Sequence, residues 1–471
     1  MRLGKLIDSD DSREVTGFAI DHRKVAPGTI FGAFRGSRFN GEDFVDAAVA
    51  AGAIAIVSAP GLTVAGATHI IDANPRLRFA HLAARYFQPF PETIVAVTGT
   101  NGKTSNVELT RQLWRMAGHS AASIGTLGVT TPNEQVVTGL TTPDIVTFLS
   151  NVAGLKREGV SHIAYEASSH GLDQYRAEGP RVAAGAFTNL SRDHLDYHGD
   201  MDSYMAAKMR LFSEVVAADG AAVIWADDAW SDKAIAVAER RGLRLITVGT
   251  KGHALKLVDR VPTSLGQALS VVADGKTHKV NLPLIGAYQA ANALTAAGLV
   301  IATGGSVAET LANLGRLQPV RGRLERAVIA QSGAPAYVDY AHTPDALEAA
   351  IAALRPHTKG RLICVFGAGG DRDTGKRAEM GSVVQRDADV AIVTDDNPRS
   401  EDPASIRAAI LAAAPDAQEV GDRRAAIAAA IAMSGKDDVV LIAGKGHELG
   451  QIVGDRTLAF DDVAVARECA A

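Results

Sequence analysis

Short, continuously apolar segments alternate with helical stretches along most of this 471-residue chain. They include TIFG at 29–32, IVAV at 94–97, AAVIW at 221–225 and LICVF at 362–366. A strand that is apolar on both sides must be covered on both faces, which is typical of parallel sheets with helices on either side. The sequence therefore predicts an α/β fold built on mostly parallel sheets.

The length and the order of these segments predict three domains. At about 150 residues per domain, one packed core is too small for this chain. The prolines of FQPFPE (87–92) predict a linker, and a second alternating series of strands and helices begins after 317–320. We therefore expect a small N-terminal α/β domain at 1–88, a central parallel-sheet domain at 89–317 and a C-terminal Rossmann-like α/β domain at 318–471.

The composition excludes several classes of protein. Lys and Arg number 48 against 53 Asp and Glu, and the net charge of −5 argues against broad binding of nucleic acid. No apolar run predicts a membrane span, and the start MRLGKLIDSDDSRE lacks the apolar core of a signal peptide. Cys364 and Cys469 are too few for a disulfide framework. We expect a cytoplasmic protein, without nucleic acid or membrane as a partner.

The segment TGTNGKTS at 98–105 follows an apolar strand and opens a helical stretch. Its glycines let the backbone approach a phosphate, the helix N–H groups point at the anion, Lys103 supplies charge and Thr104 can reach Mg²⁺. The general phosphate-loop pattern has glycine at the position of Val97, so the match is partial. An ordinary strand–helix turn is the alternative, and the lysine–threonine pair argues against it. The segment therefore predicts a P-loop-type domain that binds a nucleotide phosphate through Gly99, Thr100, Asn101, Gly102, Lys103, Thr104 and Ser105, and the resemblance to a known family implies that this nucleotide is ATP.

An ordered set of segments resembles the Mur ligases and the related folylpolyglutamate synthetases. Besides TGTNGKTS it comprises GTLG (125–128), TTPD (141–144), EASSH (166–170), TNLSRDHLDYHG (188–199), YMAAKMRLF (204–212), VRGRLE (320–325), VDYAHTPDAL (338–347), VFGAGGDRDTGKR (365–377), DDNPR (395–399) and AGKGHE (443–448). The set covers nearly the whole chain, which makes the resemblance specific. The DNPR form resembles the branch that adds meso-diaminopimelate rather than lysine.

The resemblance implies an ATP-dependent amide ligase that uses ATP and Mg²⁺. Its implied substrates are UDP-MurNAc-L-Ala-D-Glu and meso-diaminopimelate, which it would join through an acyl phosphate in peptidoglycan precursor synthesis, as a monomer. A sister ligase that adds lysine or another amino acid, or a ligase of the folylpolyglutamate synthetase type, is the nearest alternative. A nucleotide-driven switch is a further one, but it would leave DNPR and GKGHE unexplained.

Three residues outside the phosphate loop are candidates for catalysis together with Lys103. Glu166 follows a strand, where a carboxylate alone predicts a Mg²⁺ ligand, a salt bridge or a helix cap. A lysine such as Lys208 in a helical stretch is by itself a solvated charge, but the resemblance implies a carbamate that binds Mg²⁺. His194 lies in a polar segment, 193–198, that predicts either a metal cluster or a helix cap; the resemblance implies a role at the ATP–magnesium site. The implied metal ligands are Thr104, Glu166 and carbamylated Lys208.

The resemblance also implies three groups of binding residues. Those for the UDP-MurNAc-dipeptide are Ile20, His22, the turn 37–39, Thr141, Thr142, Ser168, Gln174 and Arg176, with His22 in place of the family's serine. Those near adenine and phosphate are Asn292 and Arg323. Those for diaminopimelate are Arg372, Asp396, Asn397, Pro398, Arg399, Gly444 and Glu448. From the residues alone, Asn292 predicts a buried helix amide and the arginines predict surface charges.

Overall fold

The computed structural model describes residues 1–36, 39–131, 133–136, 141–263, 266–371 and 373–471. The chain packs into two compact units. The first comprises Met1–Val248 and Gly298–Gly305, and the second comprises Gly249–Ala297 and Ser306–Ala471. The α/β class is confirmed, and the finer boundaries at 88 and 317 stay predictions.

The first unit begins with a parallel sheet in the order β1-β2-β3-β4. Phe79 lies in its core and packs edge-on against Phe18 and Phe34, with ring centroids 5.3 Å and 5.4 Å away. The elements are α1 (Leu3–Ile7), β1 (Gly17–Ala19), β2 (Thr29–Gly32), α2 (Val45–Ala50), β3 (Ala55–Ser58), β4 (Thr68–Ile71) and α3 (Pro75–Phe87).

A larger sheet follows in the same unit. Its elements are β5 (Thr93–Thr98), α4 (Lys103–Met116), β6 (Ala121–Gly125), β7 (Gly128–Thr130), β8 (Gln135–Val136), α5 (Ile145–Arg157), β9 (His162–Glu166), α6 (Ser169–Asp173), β10 (Val182–Phe187), α7 (Leu195–His198), α8 (Met201–Arg210), β11 (Val216–Trp225), α9 (Ser231–Arg240) and β12 (Arg244–Gly249). The order is β12-β11-β10-β5-β9-β6-β7-β8, parallel from β12 to β6. Because β5 lies between β9 and β10, the segments that follow these three strands meet at one edge of the sheet.

The second unit contains an antiparallel segment that the sequence analysis did not predict. It consists of β13 (Leu255–Thr263), β14 (Gly266–Ala273) and β15 (Lys276–Leu282). Asp274 and Gly275, both with positive φ, form the two-residue turn between β14 and β15. An Asp-Gly pair between strands is a strong hairpin signal, and it was available in the sequence. The helix α10 (Ala287–Ala302) contributes residues to both units.

The rest of the second unit is a six-stranded sheet in the order β16-β17-β21-β18-β19-β20. The edge strand β16 is antiparallel and the others are parallel, as predicted for a Rossmann-like region. Its elements are α11 (Val307–Asn313), β16 (Glu325–Ile329), β17 (Pro335–Asp339), α12 (Pro344–Leu354), β18 (Leu362–Phe366), α13 (Lys376–Asp387), β19 (Val390–Val393), α14 (Pro403–Leu411), β20 (Gln418–Glu419), α15 (Arg423–Met433), β21 (Val439–Ala443), the hairpin β22 (Gly450–Val453) and β23 (Arg456–Ala459), and α16 (Asp462–Ala470). Within the described ranges, no helix has the length and apolar character needed to cross a membrane.

A fully buried ion pair joins two helices of the second unit. Arg423 begins α15, Asp462 begins α16, and both side chains are 0% exposed. The guanidinium donates to Asp462 Oδ1 at 2.8 Å and to Oδ2 at 2.7 Å, and also to the carbonyl oxygen of Ala443 at 3.0 Å. This bidentate geometry fixes both helix starts against the end of β21.

We expect Asp462→Ala to lower the free energy of unfolding of this unit by about 3–5 kcal/mol, because Arg423 would stay buried without its counter-charge. Amide hydrogen exchange of α15 and α16 measures the change. The matched control is Glu468→Ala: Glu468 pairs with Arg424 on the same two helices, but those side chains are 58% and 54% exposed. The control should cost less than about 1 kcal/mol. Equal losses in the two variants would show that burial of the pair is unimportant.

Candidate active site

The loop between β5 and α4 is fixed by the segment that follows β10. The N–H groups of Thr100 and Asn101 donate to the backbone and side-chain oxygens of Asn189, both at 2.9 Å. Thr188 Oγ1 donates to the carbonyl oxygen of Asn101 at 2.6 Å. Gly99 has a φ of +148° and lies so close to Thr188 that a Cβ would overlap its hydroxyl. The loop therefore has a defined shape of its own, with α4 beginning directly behind it.

Two lysines converge on the carbonyl oxygen of Gly99. Lys103 Nζ donates to it at 3.0 Å and to the carbonyl oxygen of Thr100 at 2.8 Å, while Lys208 Nζ donates to Gly99 at 2.7 Å. Lys208 is only 1% exposed, which excludes its interpretation as a solvated charge. Burial, followed by the charge of Lys103, lowers the pKa of Lys208 well below its ordinary value.

Tyr204, which the sequence analysis did not select, links Lys208 to the loop. It is buried one turn before Lys208 in α8, and Lys208 Nζ lies 4.3 Å from the centroid of its ring. Its hydroxyl is 3.3 Å from Thr100 Oγ1. The signal in the sequence is the spacing of four between Tyr204 and Lys208, which places them on one face of a helix.

Glu166 ends β9 and lies opposite Val97 of β5, so its carboxylate is at the same sheet edge as the loop. Oε1 accepts the N–H of Thr126 at 2.7 Å and Oε2 accepts the Thr126 hydroxyl at 3.2 Å. These two bonds use about half of the acceptor capacity of a carboxylate. In the described part of the chain Glu166 forms no ion pair, so the salt-bridge interpretation is not supported. Its role as a metal ligand stays a prediction.

The TTPD segment supports the turn after β9. Thr142 is 3% exposed; its hydroxyl donates to the carbonyl oxygen of Glu166 at 2.8 Å and accepts the N–H of Ser168 at 3.1 Å. The Ser168 hydroxyl accepts the N–H of Gly171 at 3.0 Å and so caps α6. Thr141 Oγ1 lies 3.0 Å from Thr126 Oγ1. These hydroxyls have structural partners, and their predicted contacts with substrate stay predictions.

An aromatic cluster surrounds His170 beside the short helix α7. Its ring lies 4.1 Å from Tyr197, 4.9 Å from His194 and 5.4 Å from His198 between centroids. Burial lowers the pKa of His170 and of His198, which favours neutral rings at pH 7. His194 has a left-handed φ of +55° and precedes α7. No group of three or more His, Cys, Asp or Glu residues is arranged to hold a metal in the described ranges, so the metal-cluster interpretation of 193–198 is not supported.

The remaining dipeptide-site candidates include a pair of residues in contact. Arg176 donates to Gln174 Oε1 at 2.5 Å and to the carbonyl oxygen of Thr142 at 3.2 Å. Burial lowers the pKa of Arg176. The pKa of Arg76 in α3 is also lowered, first by burial and then by the charge of Arg176. Two half-buried guanidinium groups that repel each other attract an anion. The sequence analysis missed Arg76 because an arginine in an amphipathic helix is unremarkable.

The N-terminal candidates lie in the small sheet. The His22 ring stacks on Phe44, with centroids 4.3 Å apart and planes 3° from parallel. Ile20 is 37% exposed. Positions 37 and 38 of the predicted turn are outside the described residues. The UDP-binding role of this region stays a prediction.

Asn292 and Arg323 both lie in the second unit. Asn292 Nδ2 donates to Gln289 Oε1 at 3.2 Å, and Gln289 Nε2 donates to the carbonyl oxygen of Arg323 at 3.0 Å. The guanidinium of Arg323 lies 4.6 Å from the ring centroid of Tyr340. Asn292 is buried within α10, and contact of either residue with ATP stays a prediction.

The C-terminal candidates gather after β19 and β21. Asn397 Nδ2 donates to Glu448 Oε2 at 2.8 Å. Asp396 Oδ2 is buried without a hydrogen-bond partner in the described ranges, and burial raises the pKa of this carboxyl. Gly444, with a φ of +118°, lies so close that a Cβ would overlap that oxygen.

Of the two arginines in this group, Arg399 is among the described residues. Arg399, with a φ of +53°, donates from Nη1 to the carbonyl oxygen of Gly370 at 2.6 Å and is half-buried next to the buried Pro398. Arg372 lies outside the described residues. Lys445, which the sequence analysis passed over inside AGKGHE, is completely buried in the cluster.

Comparison with known proteins decides the family. Residues 97–300 match the family described as "Mur ligase middle domain", and residues 322–446 match the family described as "Mur ligase, glutamate ligase domain". The chain belongs to the Mur ligase family. This Mur ligase is 59% identical to a protein of Zymomonas mobilis named UDP-N-acetylmuramoyl-L-alanyl-D-glutamate–2,6-diaminopimelate ligase. The matched region covers 96% of this chain and 94% of the Zymomonas protein. The ligase of the same name from Bradyrhizobium diazoefficiens is 52% identical, with coverage of 98% and 97%.

Solved structures agree with the family. A structure of a ligase of that name has a TM-score of 0.75 and 32% identity, covering 100% of this Mur ligase and 98% of that chain. The MurF ligase from Thermotoga maritima in complex with ADP has a TM-score of 0.63, 20% identity and 96% coverage of both chains. A folylpolyglutamate synthase from Mycobacterium tuberculosis scores 0.66 at 18% identity, covering 84% of this chain and 93% of its own. The last two likenesses concern the fold alone, so the fold does not separate the alternative ligases.

We expect Thr142→Val to lower the free energy of unfolding of the first unit by about 2–6 kcal/mol. The change leaves the Ser168 N–H and the Glu166 carbonyl without their shared partner, at about 1–3 kcal/mol each. Urea unfolding followed by tryptophan fluorescence measures it, because Trp114, Trp225 and Trp230 all lie in this unit. Thr142→Ser keeps the hydroxyl and should cost about 1 kcal/mol. Equal stability of the two variants would argue against the bridging role of Thr142.

Proposed function

We propose that this Mur ligase joins meso-diaminopimelate to UDP-N-acetylmuramoyl-L-alanyl-D-glutamate with ATP, as a cytoplasmic step of peptidoglycan precursor synthesis. The observation that carries the proposal is the 59% identity to the Zymomonas ligase named for this reaction, over 96% of the chain. That span includes both the phosphate loop and the C-terminal cluster around Asn397. A nucleotide switch would need only the first of these.

The chemistry explains why a nucleotide is consumed. A carboxylate is a poor electrophile, so the terminal phosphoryl group of ATP is transferred to the D-glutamyl γ-carboxylate to give an acyl phosphate. An amine of diaminopimelate attacks its carbonyl carbon, and the tetrahedral intermediate collapses with release of phosphate and formation of the amide. The loop N–H groups at the start of α4 and the Lys103 ammonium stabilise the charge on the transferring group.

The residues at the loop also fit a divalent cation. Thr104 follows Lys103 in the first turn of α4, and Glu166 is a buried carboxylate at the same sheet edge with acceptor capacity left, so both offer the oxygen ligands that Mg²⁺ prefers. When bound, the cation would neutralise negative charge on the phosphates. We propose Thr104, Glu166 and carbamylated Lys208 as its ligands.

The surroundings of Lys208 favour carbamylation. The reaction with CO₂ needs the neutral amine, and the lowered pKa of Lys208 raises the neutral fraction at pH 7. Carbamylation would also replace one of two neighbouring positive charges by a negative one, which relieves the repulsion between Lys208 and Lys103.

We expect Lys208→Ala to lower kcat by about 10²–10³-fold, the usual cost of losing one preorganised electrostatic contact. A small added carboxylate should restore part of the activity, because the missing group is an anionic ligand. Lys208→Arg keeps the charge but cannot carry a carbamate, so it should fail as well. Carbon-13 NMR with labelled bicarbonate should show a carbamate signal in the wild type that both variants lack. An active arginine variant would contradict the carbamate.

We expect a strong preference for diaminopimelate over lysine, governed by Arg399. Diaminopimelate differs from lysine by one carboxylate, which a guanidinium binds through paired hydrogen bonds. Losing one member of a buried charge pair costs about 2–5 kcal/mol, or roughly 30-fold to several-thousand-fold in kcat/KM. The measurement is kcat/KM for both amino acids with ATP and the UDP-MurNAc-dipeptide, with the product identified by mass.

The same assay on Arg399→Ala should show that most of the preference is lost, mainly through weaker use of diaminopimelate. Arg456→Ala, an exposed arginine on the β22–β23 hairpin, is the control and should keep the preference. Wild-type enzyme that uses lysine equally well would overturn the choice of substrate. An unchanged preference in Arg399→Ala would instead overturn only the role of that residue.

A further inference from the structure

Lys445, between two glycines of the AGKGHE segment after β21, has a side chain that is 0% exposed. Its Nζ donates to Asn397 Oδ1 at 3.0 Å and to Glu448 Oε2 at 2.9 Å. Burial of an ammonium is costly unless it is paired. The left-handed φ values of Gly444 and Gly446, +118° and +55°, let the chain turn on either side of it.

The three side chains form a closed set of contacts. Asn397 Nδ2 donates to the same Glu448 oxygen at 2.8 Å, and the Ile452 N–H donates to Asn397 Oδ1 at 2.9 Å. Lys445 and the Ile452 N–H therefore fix the position of the Asn397 amide oxygen, and the Glu448 carboxylate fixes the position of its nitrogen. Glu448 is 31% exposed, whereas Lys445 is fully covered. The carboxylate can meet a ligand, and the ammonium beneath it cannot.

Several titratable groups lie around Glu448. Lys445 and His447 are on its own segment, Asp396 follows β19 and Arg423 begins α15, while Asp462 at the start of α16 acts on Asp396 and Arg423. Burial lowers the pKa of His447 to about 3, so this ring is neutral, and Arg423 is already paired with Asp462. Burial opposes the ionisation of Glu448, but the charge of Lys445 and the hydrogen bonds of Lys445 and Asn397 hold the pKa of Glu448 below its ordinary value.

We propose that Lys445 is a positioning residue of the amino-acid site: it orients Asn397 and keeps Glu448 ionised, so that Glu448 accepts an ammonium group of the incoming amino acid. The inference rests on the proposed function. Lys445 acts through its two partners and does not touch the substrate.

The test is Lys445→Met, assayed as KM for diaminopimelate from about pH 6 to 9. Without the charge of Lys445, the partial burial of Glu448 acts alone and raises its pKa, so its ionisation should shift upward towards this range. The ratio of variant KM to wild-type KM should be at least about tenfold at the acid end, equivalent to about 1.4 kcal/mol. It should then fall as the pH rises and Glu448 ionises. Taking the ratio removes the substrate's own titration, and KM for ATP should stay within about twofold.

Three further variants keep the result interpretable. Lys445→Met combined with Glu448→Gln should lose the pH dependence of the ratio, because glutamine does not titrate. Lys445→Arg keeps the charge in a changed position, so it should raise KM for diaminopimelate without pH dependence. Lys436→Met removes an exposed lysine of the same unit and should match the wild type.

A ratio that does not vary with pH in Lys445→Met, or an equal rise in KM for ATP and diaminopimelate, would overturn the inference and leave Lys445 a general structural role. If Lys445→Met does not fold, the arginine variant decides, since an unchanged KM for diaminopimelate would overturn the inference. A wild-type enzyme that forms no diaminopimelate product would instead overturn the proposed function.

Discussion

The carbonyl oxygen of Gly99 accepts hydrogen bonds from the amino groups of Lys103 and Lys208, in a loop that the neighbouring strand holds in place. Two charged lysines this close would repel each other, and burial together with the charge of Lys103 lowers the pKa of Lys208. They are kept together because β5 lies in the centre of a parallel sheet and because Thr188 and Asn189 fasten the loop from the neighbouring strand. The helix α4 adds the positive end of its dipole at the same point. Lys103 and the start of α4 thus place positive charge at the loop, beside a buried amine whose pKa is lowered.

In the second unit, buried cations are paired with carboxylates. Arg423 is matched by Asp462 and Lys445 by Glu448, so each buried cation has a carboxylate within hydrogen-bond distance. Asp396 is the exception, with a buried oxygen that lacks a partner in the described ranges. Asp396 and Glu448 lie in the same cluster as Lys445, and under the proposed function this cluster would receive the ammonium groups of the amino acid.

The sequence was informative where burial leaves a local pattern. Strands such as IVAV and LICVF are apolar throughout because both sheet faces are covered, and they were predicted. The meander β13–β15 was missed because much of β13 is exposed and shows no apolar run, although the Asp274–Gly275 turn marked one of its hairpins. Family resemblance pointed to Glu166 and Asn397, which lie at or after strand ends, and to Lys208 of α8, which contacts the loop after β5; their roles stay predictions. It could not show that the Thr142 and Ser168 hydroxyls are bonded to the backbone, or that Tyr204 and Lys445 are buried partners, since these depend on contacts between distant segments.

The depth of Lys208 has a consequence for the chemistry that can reach it. Its amine lies beneath the loop and against the Tyr204 ring, so a molecule must pass between packed side chains to meet it. A linear triatomic gas is small enough for such a path, whereas bulky acylating reagents are excluded until the helix or the loop moves. Selectivity at this amine then comes from molecular size rather than from recognition.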